Sequence, residues 1–260
     1  MAYKRGAPLI NLSRFFRIAS AVVFYFTFCI AMTVCVLLYS VRYINKKLLL
    51  RFKGSAILVS NHTSLLDPVM ITGAVFPRLL YETMLEATVE TPVFGTFTRL
   101  LGGVPLPAGV RGLEKILQTA PDAFRYRSFL HFYSEGECFL YNQKIMPFKP
   151  GAFYLAASLN IPVIPVVNVL EEGFFAKGHF FARRFPKARY VVLNPVAPSA
   201  YVRYKEDGSP EKKSVTEFSE AVRSIMQNEI DSRRAKNPRC GTMAYYKGQM
   251  PRIKGLNDDG

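Results

Sequence analysis

The chain has 260 residues, half of them apolar, with 21 Phe, 14 Tyr and no Trp. That length suits one domain of roughly 200 residues plus extras, and the composition is rich for a soluble domain and lean for a multi-span membrane protein. A formal charge of +15 calls for an anionic partner: nucleic acid, a phospholipid surface or a phosphorylated small molecule.

The charge is unevenly placed. No Asp or Glu precedes Asp67, whereas Lys4, Arg5, Arg14, Arg17, Arg42, Lys46, Lys47, Arg51 and Lys53 all fall in that stretch. Residues 1–17 read as a basic N-terminal segment. Residues 18–41, "IASAVVFYFTFCIAMTVCVLLYSV", read as a membrane-anchoring helix, because 24 residues pass without a charge, a Gly or a Pro. As a helix this run extends about 36 Å, against a hydrocarbon core of about 30 Å.

The run is too long for the apolar part of a cleaved signal peptide, and no small-residue cleavage site follows it. Nothing breaks the helix, which favours a single span over a hairpin dipping into one leaflet. Basic residues flank both ends, so the positive-inside rule leaves the orientation open.

Residues 42–236 alternate short strands with helices. "AILVS" (56–60) predicts a strand, followed by a loop and a helix over 65–75. A strand over 79–84, a helix over 91–102 and a short extended "GVPLP" come next, then a helix over 112–120 closed by Pro121. Strands are expected at 129–134, 161–170 and 188–196, with a helix over 151–160 between the first two.

The last helix opens with Ser214 and Glu217 in capping-box spacing and shows Phe218, Val222 and Ile225 on one face. This alternation implies an α/β domain with a mixed, largely parallel central sheet flanked by helices, preceded by the membrane helix. Residues 237–260 form a basic, irregular tail.

One stretch carries chemistry. "VSNHTSLLD" (59–67) sets His62, one of only three histidines, just after a strand and Asp67 five residues further on. Ligands of open α/β sheets gather at the carboxyl ends of strands. A loop-to-helix turn can bring the two side chains together, with Asp67 in the first helical turn, where the dipole suits a carboxylate. The carboxylate then fixes the imidazole tautomer and leaves the other nitrogen free to accept a proton. That is a triad lacking its nucleophile, fit to deprotonate a substrate hydroxyl. Spacing alone also allows a loop histidine that merely bonds a helix cap.

The "NHTSLLD" block resembles the Asn-His-x4-Asp block of the glycerolipid (lysophospholipid) acyltransferases, of the 1-acylglycerol-3-phosphate acyltransferase type. "RLLGGVPL", "FYSEGECFLYNQKIMPFKPGAF" and "IPVIPVV" follow in the order of that family's next three blocks. The resemblance spans residues 57–167. It implies His62 as general base, Asp67 as its orienting partner, and Glu135 and Gly136 lining the acceptor site, with Asn61, Ser64, Arg111 and Lys149 around the substrate.

Two departures are visible. The second block lacks the Arg that usually follows its Gly, and the third reads Tyr133-Ser134-Glu135-Gly136-Glu137-Cys138 and lacks its Arg as well. Arginine suits a phosphate through its planar fork. The cations left nearby are Arg111, Lys144 and Lys149. This shifts the expected acceptor from lysophosphatidic acid toward another lysophospholipid or alcohol.

The implied reaction moves a fatty acyl group from acyl-CoA or acyl carrier protein to a lysolipid or glycerol phosphate hydroxyl. It needs no metal and no cofactor beyond that co-substrate. The implied partners are membrane phospholipids, the thioester donor and the lysolipid acceptor, not nucleic acid, with the catalytic domain on the cytosolic face where the donors are. The alternative is a non-catalytic lipid- or membrane-surface-binding protein on the same fold.

Other features carry less. Cys29, Cys35, Cys138 and Cys240 show no metal or disulfide spacing, consistent with a reducing compartment. Cys138 lies beside Glu137, which disfavours a thiolate nucleophile. "KGHFFARRFPKARY" (177–190) suits anionic headgroups, with rings at the interface and cations outward. His131 reads as a core histidine and His179 as part of a surface loop.

Overall fold

The computed structural model describes residues 8–107, 109–172 and 185–241. The extreme N-terminus, most of the basic and aromatic segment with His179, and most of the basic tail lie outside the described residues.

The helix α1 (Arg14–Tyr39) opens the fold, with the Ser13 hydroxyl accepting from the Phe16 amide as its cap. In chain order follow β1 (Arg42–Ile44), α2 (Lys47–Arg51), β2 (Ala56–Ser60), α3 (Asp67–Val75) and β3 (Leu80–Leu85). Then come α4 (Glu86–Glu90), α5 (Pro92–Leu100), β4 (Gly103–Leu106), α6 (Val110–Phe124) and β5 (Phe129–Tyr133). The chain closes with α7 (Gly151–Ser158), β6 (Val163–Glu171), β7 (Lys187–Val192) and α8 (Lys212–Lys236).

The seven strands form one sheet in the order β1-β7-β6-β2-β5-β3-β4. Every neighbouring pair is parallel except β6 with β7. The mixed, largely parallel sheet is therefore the expected one. β2 is buried at all five positions, as a central parallel strand covered on both faces has to be.

Its side chains alternate between two cores. Ile57 and Val59 join Leu130, Phe132 and the apolar faces of α6, α7 and α8. Ala56 and Leu58 join Phe129, Ile164 and the residues of α1 and α3. This sandwich holds the carboxyl end of β2 rigidly at mid-sheet.

Three local expectations differ. α6 runs past Pro121 to Phe124, with Pro121 inside the helix, where it forgoes one i→i−4 hydrogen bond although its fixed φ is helical. α8 begins at Lys212, so Ser214 is not its cap. The Ser214 hydroxyl instead donates to the Glu211 carbonyl and accepts from the Arg203 amide. The buried face of α8 is Phe218, Val222, Met226 and Ile230, at strict four-residue spacing, and Ile225 is only half-buried.

α1 does not stand free of the domain. Ser20, Phe24, Phe28, Cys35 and Tyr39 make a buried stripe along one side, at the spacing of a single helix face. Phe28 stacks on Phe76 at 4.9 Å, and the Tyr25 hydroxyl donates to the Pro77 carbonyl at 2.8 Å. The other side exposes Phe15, Ile18, Val22, Phe26, Ile30 and Leu37. The helix is thus docked lengthwise with an apolar face turned outward. A sequence apolar on both sides could not reveal which stripe was packed.

Candidate active site

β2 ends at Ser60, and the chain turns through Asn61 to Leu66 before α3 begins at Asp67. Asp67 is fully buried in the first turn of α3. The His62 Nδ1 lies 3.0 Å from Asp67 Oδ2. The same oxygen accepts from the backbone amides of Thr63 at 2.5 Å and Ser64 at 2.8 Å. The other oxygen, Oδ1, accepts from the Tyr190 hydroxyl at 2.7 Å and from Asn168 Nδ2 at 3.2 Å.

Five donors converge on one carboxylate. Such a carboxylate accepts and does not donate, so Nδ1 carries the proton toward it and Nε2 keeps its lone pair. Nε2 has no hydrogen-bond partner among the described residues, and the His62 side chain keeps 16% of its surface exposed. The His62 ring lies flat on Tyr133, with centroids 3.9 Å apart and 18° between planes. One nitrogen is held, one face is covered, and one nitrogen is left free.

Glu135 follows β5 and clamps two segments together. Its Oε1 accepts from the His62 amide and its Oε2 from the Met146 amide, each at 2.9 Å. The loop after it is stitched to the histidine loop as well, Phe139 and Tyr141 amides donating to the His62 and Thr63 carbonyls. Burial is the main force that pushes the Glu135 carboxyl up to about 7, and the Asp67 charge adds to it against the pull of the two amide donors.

Gly136 has φ +77°, a region that favours glycine. A Cβ there would fall 2.6 Å from Lys149 Nζ, so the ammonium lies directly over the glycine.

Of the residues expected at the substrate, the structure gathers His62, Asp67, Glu135, Gly136 and Lys149 into one place. Asn61 and Ser64 are turned into the protein instead. The Asn61 amide exchanges hydrogen bonds with the backbone of Asn168, at 2.8 and 3.0 Å, and tethers β2 to β6. The Ser64 hydroxyl pairs with the Tyr39 hydroxyl at 3.1 Å and accepts from the Leu66 amide. These contacts leave neither group aimed at a ligand. Arg111 lies in the first turn of α6, and its side chain lies outside the described residues.

Sequence reasoning missed Asn168, Tyr190, Tyr133 and Thr63. Asn168 was the findable one, a lone amide inside the apolar run "IPVIPVVNVL" that is fully buried and therefore requires partners.

A second histidine sits just beneath. His131 Nε2 lies 2.9 Å from the Ser60 hydroxyl and Nδ1 3.7 Å from Glu82 Oε1. The order of serine, histidine and acid mimics a triad, yet Ser60 and His131 are wholly buried and no substrate can reach them. Burial holds His131 down to about 3, so its ring is neutral near pH 7, and burial also pushes the Glu82 carboxyl well above its ordinary range. Burial likewise pushes the Cys138 thiol up to about 12, leaving no thiolate. Among the described residues, no three His, Cys, Asp or Glu side chains converge as metal ligands would.

The chain is 27% identical over 184 residues to the 1-acyl-sn-glycerol-3-phosphate acyltransferase of Saccharomyces cerevisiae, a match covering 67% of this chain and 55% of the yeast protein. The chain therefore spans little more than half the length of that relative. Its fold is similar to that of the 1-acyl-sn-glycerophosphate (LPA) acyltransferase PlsC from Thermotoga maritima. The TM-score is 0.59 at 20% identity, over 86% of this chain and 85% of the other. Residues 40–169, which hold both His62 and Asp67, match the model of the Acyltransferase family, and the chain belongs to that family.

Proposed function

We propose that the protein is a membrane-attached O-acyltransferase that esterifies a hydroxyl of a lysophospholipid or glycerol phosphate with the acyl group of acyl-CoA or acyl carrier protein. The observation that carries this reading is the imidazole of His62, held by Asp67 through Nδ1 at 3.0 Å and free at Nε2.

In this reading Nε2 takes the proton of the acceptor hydroxyl as its oxygen attacks the thioester carbonyl. The C–O bond forms, the C–S bond breaks, and the imidazolium returns the proton to the leaving thiolate. The products are an ester and a free thiol. Asp67 stays ionised throughout and stabilises the transient imidazolium. The enzyme's work is positioning and proton transfer, since the thioester is already activated.

Lys149, poised over Gly136, is the cation that meets the acceptor's anionic headgroup. A lone ammonium fits a phosphate less selectively than a guanidinium fork, which supports a lysophospholipid acceptor over lysophosphatidic acid. The outward apolar face of α1 supports attachment in one leaflet, with the domain on the cytosolic side where the thioesters are. The Tyr39–Ser64 pair joins the end of that helix to the histidine loop, so the membrane and the site are mechanically connected.

A purely lipid-binding role on the same fold has no use for an imidazole aligned by five-fold hydrogen bonding of its partner. The test is to offer the purified protein a panel of lysolipids with acyl-CoA and with acyl carrier protein, and to read products by mass spectrometry. An ester product formed by the wild type and missing with His62→Ala is expected. A panel without any product from the wild type would favour the lipid-binding role.

A further inference from the structure

A cavity of about 180 Å³ opens at the other end of α1, between its first turns and the start of β4. Three arginines line it: Arg17 from α1, Arg99 from α5 and Arg127 from the turn before β5. No Asp or Glu is among the lining residues. Arg99 and Arg127 are each only 8% exposed.

Arg127 is anchored, donating to the Leu80 carbonyl and the Ser20 hydroxyl at 2.7 Å each. Arg99 donates to the Pro8 carbonyl at 3.1 Å. Arg17 is different. Its guanidinium lies flat over Tyr126 at 3.6 Å, makes no hydrogen bond to a described residue, and has a buried Nε.

Stacking uses the face of a guanidinium and leaves its five N–H donors pointing outward in plane. A charged donor left buried without an acceptor is costlier than a neutral one. The cavity is more than ten times the roughly 15 Å³ that a single water needs, so a polyatomic anion fits.

The place also matters. Ser20 and Tyr39 are 19 residues apart on α1, about 28 Å along its axis, and β4 lies three strand spacings from β2, roughly 14 Å across the sheet. The cavity is therefore separate from the site at His62. Phe15 and Ile18, exposed on the same turns of α1, set it where the helix would meet a headgroup layer.

We propose that this three-arginine cavity binds a phosphate group, presented either by the headgroup of an anionic membrane lipid or by a phosphate from solution. The lipid source rests on the membrane attachment proposed above, and the anion site itself does not. Titration calorimetry on the whole protein at constant ionic strength uses two probes, inorganic phosphate and a short-chain, water-soluble phosphatidylglycerol. The expected result is saturable binding that is weakened at least ten-fold by Arg17→Gln and that persists with the same affinity in Lys149→Gln and His62→Gln, where the catalytic site no longer contributes. Those last two variants separate this cavity from the catalytic site.

Tighter binding of the lipid by ten-fold or more assigns the lipid headgroup as occupant, and equal binding assigns free phosphate. Asn11→Glu, which sets a tethered carboxylate in the cavity wall, should abolish binding independently of Arg17. No saturable binding of either probe to the wild type, or undiminished binding in folded Arg17→Gln or Asn11→Glu, overturns the proposal.

Discussion

Asp67 has no free valence. Its two oxygens accept from His62, Thr63, Ser64, Asn168 and Tyr190, so replacing it disturbs fold and chemistry together. Asp67→Asn points an N–H₂ at existing donors. It should lower acyl transfer by about 10²–10⁴-fold through loss of the tautomer and proton transfer and destabilise the fold by about 3 kcal/mol. Tyr190→Phe removes one donor without touching His62. It should cost about 1–2 kcal/mol in denaturant unfolding and change transfer less than ten-fold. Glu135 makes a pH prediction. Its folded value of about 7 stands above the ordinary carboxylate value, so the folded state holds a proton that the unfolded state has released. The stability Glu135 contributes through that proton is complete below about pH 4 and is lost as pH rises from there through 7. Relative to Glu135→Gln, the wild-type melting temperature should fall across that window. A parallel course for the two proteins would contradict the buried, proton-holding carboxyl.

Helices and loops show where the sequence could be read and where it could not. The strand, polar loop and acidic helix start of residues 56–67 were legible because strand end, histidine and first-turn carboxylate are local. The pairing of Asp67 with Asn168 and Tyr190 was not, since they come from β6 and β7, over a hundred residues away; the lone amide of Asn168 in an apolar run announces a need for partners but not which ones. The packed stripe of α1 was hidden for a different reason: both faces are apolar, so periodicity is silent. The two faces now make opposite predictions. Phe26→Asp, on the open face, should reduce co-sedimentation with phospholipid vesicles while leaving the melting temperature within a degree or two. Phe28→Ala, against Phe76, should lower stability by about 3 kcal/mol with membrane binding retained. Identical behaviour of the two variants would refute the docked orientation. In the third-block loop, Gly136→Ala forces a Cβ into the Lys149 side chain at a φ alanine resists. A cost of about 1–2 kcal/mol and a raised KM for the lysolipid are expected, measured by chemical denaturation and steady-state kinetics.

Across the whole molecule, one sheet joins a helix with an exposed apolar face to the hydrogen-bonded pair of His62 and Asp67. The first-block loop is tied to β6 by Asn61, to β7 through Asp67 and Tyr190, to the third-block loop by Glu135 and to α1 by Tyr39. In the proposed reaction, burying Asp67 while leaving the His62 ring partly exposed gives a base aligned before substrate arrives. His131 below is wholly buried and held down to about 3, so it is neither reachable nor basic enough to compete. The central claim is that His62 Nε2 removes the proton of the acceptor hydroxyl. The direct measurement is kcat/KM for acyl transfer from an acyl thioester to a lysolipid, in wild type and in His62→Gln, with vesicle binding and melting temperature recorded on both. A fall of about 10³-fold or more with folding and membrane association intact is the predicted result, whereas kcat/KM within ten-fold of the wild type would contradict it.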